Sequence, residues 1–139
     1  FTWKLYMYDY DIVYIKGNPN SGSKIQHNEI NNTIIKLIDR YTYKMIPSDD
    51  NNKSMAAIPN AKVYIGFSRG SRYLKKLNKN SLKISIGGIN GPQIHQFVSK
   101  KDKILSGDIS LESMHAHFII EQSDQVKIKL LISDFLKKK

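Results

Sequence analysis

Short β-branched runs alternate with helix-forming stretches along most of this chain, and that alternation limits the fold more than any other feature. Asp11-Ile12-Val13-Tyr14-Ile15 reads as a buried strand and runs into the turn-rich loop Lys16-Gly17-Asn18-Pro19-Asn20-Ser21-Gly22. From His27 to Tyr43 the apolar residues Ile30, Ile34, Ile35, Ile38 and Tyr41 recur at helical spacing, with Asn28 as N-cap. Tyr43–Pro47 is a short strand candidate before a polar loop. Ala61–Ile65, Leu82–Ile86, Ile94–Val98 and His115–Ile120 supply further strands, Ser71–Leu77 a helix, and Gln125–Leu136 a closing amphipathic helix. Strands that alternate with helices predict an α/β fold: a mostly parallel sheet of about six strands with helices on both faces. Residues 1–10, rich in aromatics, are expected to form an edge strand or an irregular start.

A chain of 139 residues suits one domain, residues 1–139, with no internal repeat. No apolar run approaches the roughly 20 residues that span a bilayer, so no membrane span is expected and a cytoplasmic location is anticipated. The absence of cysteine excludes disulfides, thiolate metal ligands and a cysteine nucleophile. The formal net charge is +10, which is compatible with an anionic ligand or nucleic acid. Only Arg40, Arg69 and Arg72 among the 22 basic residues are arginine, the side chain best suited to bidentate phosphate or base contacts. The scattered lysines therefore read as a solvated surface, and nucleic acid is not the expected partner.

Chemistry concentrates at Gly66-Phe67-Ser68-Arg69-Gly70, which fits G-x-S-x-G between a strand and a helix. A serine hydroxyl becomes a nucleophile when a base sits within hydrogen-bond reach. A sharp strand-to-helix turn exposes the hydroxyl but crowds the positions two residues to either side, where glycine is needed. In parallel sheets ligands sit beyond the carboxyl ends of the strands, which is where Ser68 falls. The following helix aims its N-terminus at the same place, so the Arg69 backbone N–H is an oxyanion donor candidate.

Strand, turn and helix in this order resemble the α/β-hydrolases, whose triad runs Ser, then Asp or Glu, then His. The resemblance covers residues 11–136 by element order, and it implies a small, lidless member of that fold. Two later stretches match the family's pattern: Phe97-Val98-Ser99-Lys100-Lys101-Asp102, where Asp102 follows a strand, and Met114-His115-Ala116-His117-Phe118, where His117 precedes an aromatic. The implied triad is Ser68, Asp102 and His117, with Asp108 a rival acid and Glu112 a weaker one. The loop after the first strand has Lys16-Gly17-Asn18-Pro19 where the family often has His-Gly. Pro19 has no N–H, so Asn18 is the second oxyanion donor expected. Lys16, Arg72 and His115 are candidate substrate contacts.

The implied activity is hydrolysis of an ester or thioester through an acyl-enzyme, with a small acyl substrate, acidic in view of the flanking arginines, and no cofactor. The lack of a long insertion between the Ser85 and Phe97 strands predicts an open, shallow site. Two other readings stand beside this one. A degenerate triad on the same scaffold would leave a basic binding module for an anionic ligand or nucleic acid. His115 and His117, two apart on a strand, could share a metal with Asp108, but two histidines are a weak metal signal and no metal is expected. Neither glycine-rich loop matches a dinucleotide or Walker pattern.

Overall fold

The computed structural model describes residues 8–17, 24–48, 58–87, 91, 93–97 and 120–137; the side chains of 24–26 are outside that description. The elements are β1 (Tyr10–Lys16), α1 (Lys24–Ile38), β2 (Tyr43–Pro47), β3 (Ala61–Phe67), a 3-10 helix (Ser68–Lys76), β4 (Leu82–Ile86), β5 (Ile94–Phe97) and α2 (Gln122–Lys137). The strands form one five-stranded, all-parallel sheet in the order β2-β1-β3-β4-β5. The expected α/β class holds, with five described strands. The strand expected at His115–Ile120 and the N-terminal edge strand fall largely outside the described residues.

Alternation along the strands divides the core. Ile12 and Tyr14 of β1, Val63, Ile65 and Phe67 of β3, and Ile84 and Ile86 of β4 pack on one face with Ile30, Ile34 and Ile38 of α1 and Ile128 and Ile132 of α2. Val13, Ile15 and Tyr64 face the other way and meet Leu74 of the 3-10 helix. A right-handed crossover puts its helix on a face set by the direction of travel. The chain moves from β1 outward to β2 through α1, then from β3 the opposite way to β4, so the two connections cover opposite faces. Burial on both faces explains why these strands read as near-continuous apolar runs.

The boundaries of all three helices differ from the sequence reading, the closing one beginning at Gln122 where Gln125 was expected. The first helix begins at Lys24, ahead of the expected Asn28 cap, and ends at Ile38. The helix after the serine motif is 3-10 from Ser68 to Lys76, where an α-helix from Ser71 was expected. Its first turn packs tightly on β3 and β1, where a Cβ at Gly66 or Gly70 would meet backbone. No helix among the described residues is long and apolar enough to cross a membrane.

Only residues 87–93 join β4 to the parallel β5, far fewer than the dozen or more that a helical crossover takes. Gly87 (φ 59°) and Gln93 (φ 65°), at the two ends of this link, are both left-handed. Seven residues are too few for a helical crossover between β4 and β5.

In the core, the Tyr14 hydroxyl donates to Asn31 Oδ1 at 2.6 Å. Burial pushes this phenol well above its ordinary value of 10.0. Its folded value being the higher, the stability it contributes is complete below pH 10 and is lost as the pH climbs toward the folded value. Urea midpoints should therefore fall above pH 10, and Tyr14→Phe should make that fall shallower; an identical alkaline profile in the variant would contradict this account.

Candidate functional site at the end of β3

Among the described strands the order has one reversal, between β1 and β3. In open α/β sheets the crevice outside the carboxyl ends at such a switch point is where ligands bind, because the two flanking loops diverge to opposite faces. The loop beginning at Gly17 leaves β1 there, and Ser68 leaves β3. The strands pair Ile15 with Gly66, and two residues beyond that pair on each strand stand Gly17 and Ser68.

Ser68 has φ 54°, in the left-handed region that L residues other than Asn and Asp seldom adopt. Its neighbours dictate this. Phe67 is extended (φ −113°, ψ 124°) and wholly buried, and the 3-10 helix starts at the next residue, so the reversal is made at Ser68 itself. A Cβ on Gly66 would lie 2.7 Å from Ser71 Cα and 2.8 Å from Ser71 N. A Cβ on Gly70 would run into the Ile15 carbonyl oxygen of β1. The helix backbone is thus pressed onto two strands at once, and only glycine leaves room at either position. Ser71, fully buried, ties the turn down by donating from Oγ to the Gly66 carbonyl at 3.1 Å.

The site's charge is basic on the described side. Lys16 ends β1 beside the turn and is half-buried, as is Arg69, while Arg72 is exposed. No side chain caps the helix start, and the Arg69 amide belongs to the first turn, where helix amides donate outward. Ser68, Arg69 and Lys16 are therefore gathered at the switch point. Asn18, Asp102, Asp108, His115 and His117 lie outside the described residues. Among the described residues no group of three or more His, Asp or Glu could hold a metal ion. Two clefts lined by described residues, of about 270 and 480 Å³, lie away from Ser68. The larger borders Leu82, Gln93 and His95, toward the amino ends of β4 and β5.

One residue at this place escaped the sequence reading. His27 is 2% exposed and its ring lies 5.2 Å from that of Phe67, tilted by 58°. The same imidazole abuts Gly17, where a Cβ would come within 2.8 Å of His27 Cε1. The available signal was its phase: His27 sits three residues before Ile30 on the stripe that continues through Ile34 and Ile38.

Comparison with protein-family models, with curated proteins and with solved structures finds no match for this chain.

The left-handed serine predicts a stability gain on its removal. Ser68→Gly should raise the unfolding free energy by about 0.5–1 kcal/mol, because glycine takes this conformation without a Cβ clash. Gly70→Ala should lower it by about 1–3 kcal/mol through the collision with β1. Chemical denaturation of the two variants checks both signs.

Proposed function

We propose that the protein is a serine hydrolase that cleaves an ester or thioester through an acyl-enzyme at Ser68. The observation that carries this reading is the left-handed Ser68 at the sheet's switch point, held by Gly66 and Gly70 where no Cβ fits. Strain of this kind costs about 1–3 kcal/mol and persists where the surrounding structure enforces it, which is typical of turns that present a reactive group. An ordinary cap would not need it: a serine capping a helix adopts extended backbone and accepts from an amide in the first turn.

In the proposed reaction the Ser68 hydroxyl attacks the acyl carbonyl as its proton passes to His117, whose imidazole Asp102 orients. The carbonyl oxygen gains negative charge and is met by the Arg69 N–H, with Asn18 the second donor, where fixed dipoles need no reorganisation. Collapse expels an alcohol or thiol that takes its proton from His117. Water, activated by the same imidazole, then releases the acid and restores Ser68. Lys16 and Arg72 suit an acyl group bearing negative charge, with His115 a further contact. The short β4–β5 link supports an open site with little selection by chain length. The fold proposed is a minimal α/β-hydrolase with a sixth strand beyond the five described.

A short-chain nitrophenyl ester should be turned over, and a fluorophosphonate should label Ser68 with a single mass increment. Ser68→Ala should lose the label and reduce kcat/KM by about 10³-fold or more. Full activity in Ser68→Ala would refute the nucleophile. No labelling, together with tight and steeply salt-dependent binding of DNA or RNA, would favour the basic binding module instead.

A further inference from the structure

We infer that His27 is a positioning residue for Ser68, acting through the ends of the two strands on which the site is built; the inference rests on the hydrolase reading. The imidazole stands at the site end of an otherwise isoleucine stripe, Ile30, Ile34 and Ile38, that packs α1 on the sheet. It is as buried as those isoleucines. Buried ring nitrogens carry the cost of finding hydrogen-bond partners, which an aliphatic chain does not. Isoleucine or leucine at position 27 would continue the stripe without that cost, so packing alone does not account for a histidine here.

Its contacts point to the role. One side of the ring meets Phe67, the residue that hands β3 over to Ser68, at 5.2 Å between ring centroids. Cε1 and Nδ1 face the Gly17 backbone so closely that a Cβ there would lie 2.8 and 3.1 Å away. Gly17 and Ser68 are the residues two beyond the paired Ile15 and Gly66 on adjacent strands. The imidazole thus packs against both strand ends, at a point where the Phe67 ring also reaches Gly17: a Cβ there would lie 3.1 Å from Phe67 Cδ2. On the hydrolase reading the acyl group on Ser68 has to fit beside these packed ends, and a misplacement of about 1 Å at such a point costs about 10²-fold in rate.

The test compares His27→Leu, His27→Asn, His27→Gln and Gly17→Ala with the parent protein, using fluorophosphonate labelling, steady-state turnover of a nitrophenyl ester and thermal melts. His27→Leu is expected to lower kcat by about 10-fold or more with KM changed less than about 2-fold. At least one of the two amides, which restore a polar group near Nδ1 or Nε2, should recover most of that loss. Gly17→Ala, whose new methyl pushes on the ring, should lower kcat in the same way. Combined with His27→Leu it should add little, because both act on one contact. Parent-like kcat in a folded His27→Leu overturns the inference while Ser68 labelling still upholds the hydrolase. If His27→Leu does not fold, additive effects of Gly17→Ala with the amide variant that retains less activity overturn it equally. An unlabelled parent protein removes the hydrolase reading and this inference together.

Discussion

The close approach of one helix backbone to two strands organises this molecule. At Gly70 the 3-10 helix rests against the Ile15 carbonyl, and at Gly66 the chain doubles back so that Ser71 lies over the strand it has just left. Remove that approach and Leu74 no longer seals Val13, Ile15 and Tyr64 on their face of the sheet. The same approach leaves Ser68 no conventional backbone conformation. Packing of the fold and presentation of the serine are consequences of a single contact, which makes it hard to alter one without the other.

The topology adds a reason for the site's position that the motif alone does not give. The sheet grows in two directions from β1 and β3, which makes their carboxyl ends a switch point, the place where open α/β sheets bind ligands. Lys16, Gly17, Phe67 and Ser68 all lie there. A glycine-flanked serine at the end of β5 would share the pentapeptide but not the switch point.

The strands were legible because they are buried on both faces: Asp11–Ile15, Ala61–Ile65 and Leu82–Ile86 are short β-branched runs with turn residues beyond them, and each is a strand within one or two residues. Tyr43–Pro47 was readable for a different reason, a β-prone pentapeptide between a helix and a polar loop. The 3-10 form of the helix was not legible, because it accompanies a close approach to Ile15, which lies 55 positions before Gly70 in sequence. His27 was hidden in a similar manner. Its phase along α1 marked it as inward, yet nothing local could say that the inward direction ends at Gly17 and Phe67. The glycine spacing around Ser68 carried its own steric meaning, and the collisions at Gly66 and Gly70 are the ones that the spacing demanded. Asp102 and His117 were proposed only through likeness to a family's order of elements, since no local property distinguishes them from other acids and histidines, and both lie outside the described residues.

The brief link between β4 and β5 also bears on how the chain assembles. Lys83 pairs with Ile94 eleven positions on, whereas Ile12 pairs with Val63 across fifty-one. Loop closure costs grow as the logarithm of that separation, a difference of about 1.4 kcal/mol in favour of the shorter pairing. The edge of the sheet farthest from β2 is thus the cheapest parallel pairing to nucleate, and the β1–β3 junction that holds the serine closes against the largest entropy. By this ordering the β1–β3 junction closes last among the described pairings, and variants at the candidate site are expected to act chiefly on the rate of unfolding.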